Sequence, residues 1–381
     1  MDFDLPDELV ALREMASELV AEHVTPHARA WEREGGYSDA VLAQLGGQGF
    51  LGALVPEAYG GSEGSYLTLA IILEELARGD GGLALAVEAH NALASRHILL
   101  AGSEGQKERY LPPLARGDHL GAWCLTEPDA GSDAAALSTL ATPAGDDWIL
   151  NGSKQFITNG RRAGTYVVMA RTSPDKGRQG ISAFIVEHDT PGLTLGAPED
   201  KLGMRSSDTV AVHLEDVRVP ATQLLGTPGH AFDDAKEVLE GGRIMISAVS
   251  LGLASEAVAR SIAYANERHS FGRPIIEHEL VGSKLADMVA QLEAARLLVY
   301  RSASRMDEGR ETPLDSAVTK LFSSEMATRV CMDAIQVHGG YGYLKDYDVE
   351  RFMRDAKLCE IGEGTSEILR VVIARSLRRR S

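Results

Sequence analysis

Glu363 stands between Gly362 and Gly364, immediately ahead of an amphipathic stretch. A carboxylate flanked by residues without side chains can be held close to a ligand, because the backbone itself can approach. The tract around it has the same character. It reads Gln336-Val-His-Gly-Gly-Tyr-Gly-Tyr, then Val349-Glu-Arg, then Arg354-Asp-Ala-Lys, then Glu363-Gly-Thr-Ser-Glu-Ile-Leu-Arg. Its middle is short on apolar periodicity and rich in glycine and charge. A structural tail rarely concentrates residues that are so costly to order. Taken alone, the Glu363 string has a plainer alternative, a solvated glutamate at a helix start.

Other chemistries find little support. Cys124, Cys331 and Cys359 are spaced neither as a disulfide framework nor as a zinc site, so no metal is expected and a reducing cytoplasmic setting is. The formal net charge of -17 argues against a nucleic-acid partner, although a local Arg or Lys can still hold a phosphate. The opening MDFDLPDELV lacks a basic stretch followed by an apolar core, so no secretory signal is read. No uninterrupted run of about 18 apolar residues predicts a membrane span. Gly47-Gln-Gly-Phe-Leu-Gly52 matches GxGxxG by spacing, but it follows a predicted helix rather than a strand and reads as a helix end and turn.

A chain of 381 residues divides into two or three units. Apolar periodicity predicts helices from residue 6 to about 115, including 37–47, 66–76 and 82–100, the last with Glu88, His90 and Asn91 as polar intrusions. Residues 120–219 carry short β-rich pieces between turns. Asn151-Gly152 reads there as a hairpin turn. Helical periodicity returns in four stretches, 233–264, 279–307, 313–338 and 365–378, the last running into Arg378-Arg379-Arg380. The chain is therefore α+β and multidomain: helices over 1–119, an all-β unit over 120–224 and a helical bundle over 225–381.

Five segments, in order, resemble the acyl-CoA dehydrogenases. Cys124-Leu-Thr-Glu-Pro-Asp-Ala-Gly-Ser-Asp133 looks like the first family signature, and Gln336 through Arg354 like the second. Asn151-Gly-Ser-Lys-Gln-Phe-Ile-Thr-Asn-Gly160 is similar to a flavin-contacting segment, Arg268-His-Ser-Phe-Gly272 to the start of the following loop, and Glu363-Gly-Thr-Ser to the catalytic-base segment. The resemblance covers nearly the whole chain. It implies two helical domains around a β-barrel-like middle domain, with a four-helix bundle at the C-terminal end. It also implies FAD, an acyl-CoA substrate, a homotetramer built as a dimer of dimers, and electron-transferring flavoprotein as the electron acceptor. Neither nucleic acid nor membrane is an implied partner.

The implied reaction converts an acyl-CoA thioester to its trans-2-enoyl-CoA. A base takes the α proton, flavin N5 accepts the β hydride, and donors stabilise the enolate-like thioester oxygen. Glu363 carries over as the base, and its own N–H as a donor to the thioester carbonyl. Trp123, Leu125, Thr126, Gly131 and Ser132 carry over as flavin contacts, as do Phe156, Ile157 and Thr158. Arg268, Ser270 and Phe271 would meet the pyrophosphate and adenine end. Gln336, Gly339 and Gly340 would reach the same cofactor from a neighbouring subunit. Thr365 and Glu367 open the last helix, whose amides can hold phosphate. Ser132, Glu240, Arg243 and Gly364 are the implied substrate contacts.

The departures from the family pattern bear on the substrate. Trp123 replaces a frequent Tyr and Phe156 a frequent Trp, so a ring is kept at both places. Glu279 stands where Gln is common. Gly242 occupies the alternative base position used by isovaleryl- and long-chain-type members, and glycine cannot act as a base. Gly362 replaces a common Tyr beside the base, which makes room for a branched, cyclic or aromatic acyl group. A charged Glu88 facing the acyl tail would favour short chains. The overall expectation is a short- to medium-chain or branched acyl-CoA. The alternatives are an oxygen-reactive acyl-CoA oxidase of the same fold and a flavin-binding scaffold of low turnover. A nitroalkane oxidase would carry Asp in place of Glu363.

Overall fold

The computed structural model describes residues 4–378, so Arg379 and Arg380 lie outside the described residues. The N-terminal part is helical: α1 (Asp7–His23), α2 (Ala28–Glu34), α3 (Asp39–Gly47), α4 (Tyr66–Gly79), α5 (Gly81–Glu88), α6 (Arg96–Ala101) and α7 (Glu104–Arg116). Ser38, Ser65, Asp80 and Ser103 cap α3, α4, α5 and α7 by accepting from the first-turn amides. The GxGxxG spacing is a helix end: α3 stops at Gly47, and a 3-10 turn covers Phe50–Gly52. The single helix expected over 82–100 is interrupted. Between α5 and α6, Ala89–Ser95 forms a π-helical turn, a feature found often at functional sites.

The middle part contains β1 (Leu120–Cys124), β2 (Leu140–Ala144), β3 (Asp147–Thr158), β4 (Ala163–Arg171), β5 (Ile181–Glu187), β6 (Leu193–Leu195), β7 (Thr209–Pro220) and β8 (Leu224–Leu225). The expected barrel is not formed. The sheet runs β6-β7-β3-β2-β4-β5-β8, with β1 beside β4, and its end strands do not pair. Only one residue pair, Leu140 with Arg171, links β2 to β4. The sheet folds over at this weak joint, and Tyr166, Val168 and Phe184 of one half share a core with Leu150, Val212 and Val217 of the other. End strands of three and two residues are too short to close the remaining gap. The other side of β4 and β5, with Val167, Met169 and Ile185, packs with Leu111 and Leu114 of α7.

The hairpin expected at Asn151-Gly152 is also absent. β3 runs straight through these residues, and the β2–β3 turn lies at Gly145-Asp146. Gly152 instead marks a register shift against β7, where a Cβ would collide with Thr139. Asn151 locks the shift by exchanging hydrogen bonds with Asp216.

The C-terminal part has five helices rather than four: α8 (Ala231–Glu267), α9 (Glu279–Asp307), α10 (Pro313–His338), α11 (Val349–Cys359) and α12 (Ser366–Arg378). A short hairpin, β9 (His269–Ser270) and β10 (Arg273–Pro274), joins α8 to α9. α11 is the helix absent from the sequence expectation. Its charged residues are structural. Arg351 donates to the Gly79 carbonyl (3.2 Å) and Asp80 (3.5 Å), and Asp355 accepts from the Met204 amide (2.5 Å). Arg354 pairs with Glu32 and Glu350. α11 is thereby tied to the other two parts of the chain. α8 packs on α4, α9, α10 and α11. Among the described residues it alone is long and apolar enough to cross a membrane, and 78% of its most apolar window is buried inside the protein. Cys124, Cys331 and Cys359 are buried and free.

One buried ion pair holds the site's β segments together. Lys154 of β3 is 0% exposed and donates to Glu127 (2.7 Å) and to the Leu125 carbonyl (3.3 Å). Glu127 also accepts from the amides and hydroxyls of Ser138 and Thr139. Burial alone would raise the Glu127 pKa, but Lys154 and these donors outweigh it and hold it at about 2. A depressed folded-state pKa contributes stability above the unfolded carboxylate range, and that stability is lost as pH falls toward 2. Lys154→Met should leave Glu127 buried without its cation and lower unfolding stability by about 3–5 kcal/mol at pH 7, measured by denaturant titration.

Candidate active site

The site begins in the turn between α11 and α12. Glu363 has φ 56° and Gly364 φ 103°, so the chain takes two successive left-handed steps. A non-glycine residue pays for such a conformation and keeps it only where its surroundings enforce it. Arg243 of α8 donates to the Glu363 carbonyl (3.3 Å), and Lys320 of α10 donates to the Gly364 carbonyl (2.7 Å). Thr365 caps α12 by accepting from the Ile368 amide.

With its backbone held from behind, Glu363 projects its carboxyl into the protein. Both oxygens are buried, no lysine, arginine or amide donates to them, and their polar neighbour is the Glu88 carboxyl. Burial raises its pKa, against the opposing influence of Glu88, Lys320 and Arg243. Gly242 makes the space: a Cβ there would meet Glu363 Oε2 and, at 2.8 Å, Leu93 Cδ2. Gly362 is different. A Cβ would meet only the Leu358 carbonyl at 3.7 Å, so packing does not demand glycine.

The polar intrusions of the 82–100 stretch divide by role. His90 is a brace between the Leu51 carbonyl and the Gly121 amide, at 2.9 and 3.0 Å. Asn91 satisfies Ala53, Phe50 and Val87. Glu88 is fully buried, and its polar neighbour is the Glu363 carboxyl. Burial, and then the charge of Glu363, push its pKa well above the carboxylate range, so it is the neutral acid of the pair. Glu88 therefore faces Glu363.

Trp123 of β1 is half-buried against Ala89, Leu93 and Val238. Its indole N–H donates to His97 Nδ1 at 3.0 Å. Burial lowers the His97 pKa to about 4, so the ring is neutral and its other nitrogen carries the proton. That Nε2 is buried without a partner. Nothing in the sequence singles out His97.

The remaining expected residues form two groups. Thr126 and Phe156 are drawn together by the Gln155 amide, which donates to the Thr126 carbonyl at 2.9 Å. Phe156 has φ 58° and is 63% exposed, an aromatic face offered outward at a register shift in β3. Gly131 and Ser132 are exposed and Thr158 is half-buried. Leu125 and Ile157 are core residues, so the Ile157 side chain packs inward and only its backbone is left for a cofactor contact. Glu240 is half-buried on α8, and burial raises its pKa.

The second group surrounds a cleft of about 430 Å³ lined by Arg268, Ser270, Gly339 and Gly340 together with Tyr264 and Tyr341. The Arg268 guanidinium lies over the Tyr341 ring at 5.7 Å. Gln336 is exposed one turn before this cleft, and Phe271 is 95% exposed beside it. None of the first group lines the cleft, so the two groups remain apart within one chain. Glu279 starts α9 and Glu367 is exposed in the first turn of α12.

These residues fit an FAD in two pieces. Trp123 and the outward Phe156 offer aromatic faces to a planar ring system. A cleft with an arginine and two consecutive exposed glycines offers charge and amides to a pyrophosphate.

Known proteins agree with this geometry over the full chain. Residues 6–118, 122–217 and 229–378 match the family descriptions "Acyl-CoA dehydrogenase" N-terminal, middle and C-terminal domain. A probable acyl-CoA dehydrogenase of Bacillus subtilis, YngJ, is 45% identical over 99% of this chain and 100% of its own length. The short-chain specific acyl-CoA dehydrogenase of Megasphaera elsdenii is 42% identical, with both chains fully covered. The structure of butyryl-CoA dehydrogenase from Megasphaera elsdenii superposes with a TM-score of 0.97 at 42% identity over 100% of both chains. A glutaryl-coenzyme A dehydrogenase in complex with glutaryl-CoA gives 0.96 at 36% identity, covering 100% of this chain and 97% of that one. With a buried carboxyl at Glu363 and matches across all three of its parts, the chain belongs to the acyl-CoA dehydrogenase family.

Proposed function

We propose that the protein oxidises a short- to medium-chain or branched acyl-CoA to the trans-2-enoyl-CoA, with Glu363 as the base. The observation that carries this reading is the buried Glu363 carboxyl, to which no lysine, arginine or amide donates and whose pKa is raised by burial, with the neutral Glu88 acid as its polar neighbour. Such a carboxylate is a stronger base than one in water and better matched to a carbon acid. The Cα–H bond breaks toward a Glu363 oxygen, the Cβ–H bond leaves with its electron pair, and a Cα=Cβ double bond forms. Bound FAD supplies the two-electron acceptor for that hydride. The Glu363 amide is the donor we assign to the thioester carbonyl, where negative charge grows as the proton leaves.

Glu88 abuts the base and closes the space beyond it to a long apolar tail, while the open side at Gly362 leaves room for branching. Ser132, Glu240, Arg243 and Gly364 remain our assignments for the CoA side. Arg243 and Gly364 would act there through the base loop that they build.

We assign the isoalloxazine ring to Trp123, Leu125, Thr126, Gly131 and Ser132 together with Phe156, Ile157 and Thr158. Arg268, Ser270, Phe271, Gln336, Gly339 and Gly340 are assigned to the pyrophosphate–adenine end, and Thr365 and Glu367 to the amides at the start of α12. The separation of the two groups within one chain supports a dimer whose subunits complete each other's cofactor sites, and a dimer of dimers above it. Phe271 at 95%, Leu280 at 87% and Tyr343 at 86% exposure are apolar surface that such a contact would cover. Electron-transferring flavoprotein as acceptor, a cytoplasmic location, and the division at 1–119, 120–224 and 225–381 complete the reading.

The purified yellow protein should bleach when titrated anaerobically with butyryl- to dodecanoyl-CoA or their branched analogues. Rapid peroxide formation in air without another acceptor would identify an oxidase instead. Glu363→Gln should retain FAD and acyl-CoA binding while flavin reduction slows by about 10³-fold or more, followed by stopped-flow absorbance. Gly242→Ala should displace the carboxyl rather than the fold. Its unfolding stability should stay within about 1 kcal/mol of the parent while flavin reduction falls by roughly tenfold.

A further inference from the structure

Lys320 is 0% exposed, on the face of α10 that packs toward the base loop. A buried ammonium is kept only where it is paired or hydrogen-bonded. Among the described residues it makes one hydrogen bond, to the Gly364 carbonyl, and no carboxylate lies within ion-pair distance. Its charge is therefore directed at the backbone immediately after Glu363. Arg243 does the same to the preceding carbonyl from α8. Two cations on two helices thus hold two successive carbonyls, at the two residues with left-handed φ. Holding those carbonyls fixes the peptide planes that determine where the Glu363 side chain projects. The sequence expectation gives Lys320 no role.

We propose that Lys320 is a positioning residue for Glu363: it pins the left-handed turn that presents the carboxyl, and its charge favours the ionised state that accepts the α proton. This rests on the reading of Glu363 as the base. The other groups facing this pair are Arg243 from α8, Glu88 from α5, Cys359 from α11 and Glu360 beyond it. Burial lowers the Lys320 pKa to about 8, with Cys359 and Glu363 opposing the shift, so the cation persists at neutral pH.

Lys320→Met keeps the buried volume and removes both donor and charge, whereas Lys320→Gln keeps a donor. Both holoenzymes would be compared with the parent and with Glu363→Gln by single-turnover flavin reduction with butyryl-CoA across pH, alongside FAD content and Tm. The Met variant should hold FAD, reduce it on the order of 10²-fold more slowly, and change KM far less than kcat. Loss of the cation should raise the Glu363 pKa, so the acid limb of the rate profile should move to higher pH. The Gln variant should recover part of the rate but keep the displaced limb. Parental rates and limb in both variants would overturn the proposal. Loss of FAD or of the fold in both would also overturn it, by making the lysine a requirement of folding. Full flavin reduction by Glu363→Gln would remove the base assignment itself. An inert Glu363→Gln beside unaffected Lys320 variants would remove only the role of Lys320.

Discussion

A carboxyl that must take a proton from carbon has to be hidden from water and kept from cationic or multiple donors that would satisfy it. Most buried acids are stabilised by partners, and Glu127 shows this in the same protein, with a lysine and four further donors around it. Glu363 is the opposite case. Its cations hydrogen-bond its backbone rather than its side chain, and its side chain has only the neutral acid Glu88 as a polar neighbour. The rest of the architecture serves this frustrated group. α8 brings a glycine where any side chain would evict it, α10 brings a lysine beneath it, and α11 ends where the turn must begin.

Much of this is legible in the residues alone. The long helices α8, α9 and α10 show in their periodicity, and the base loop in its glycines. The middle unit is harder to read. Asn-Gly is a strong turn signal, but its force is local, and at Asn151-Gly152 the tight approach of Thr139 and the side-chain lock to Asp216 favour a bulge within one strand. Closure of a sheet depends on the lengths of its edge strands and on the joint between β2 and β4, neither of which leaves a pattern in sequence. α11 is short but carries Val349, Phe352, Ala356 and Cys359 at helical spacing, a signal masked beside its glycine-rich flank and its charges, which are buried in ion pairs with distant segments.

The same limit explains the site residues that sequence reasoning misses or leaves undirected. Lys154, Lys320 and His97 are polar residues whose surroundings are assembled from far along the chain, and no window of neighbouring residues reports their burial. Glu88 stands out as an intrusion, but the group it faces, Glu363, lies far along the chain and no local window shows it. Resemblance groups the cofactor residues into two sets, and the structure adds that one chain keeps them apart.

The π turn at Ala89–Ser95 has a consequence for how such an enzyme can diversify. A π turn amounts to one extra residue wound into an α-helix. Deleting one residue there would restore the regular ladder while leaving the flanking helices in phase, so the change would be confined to the side chains of the turn. These two helices are anchored separately, by the Asp80 cap on one side and the Trp123–His97 bond on the other. The turn is therefore a vernier: one codon gained or lost would re-aim Leu93, which packs beside Gly242 and the base, while the bundle and the sheet keep their places.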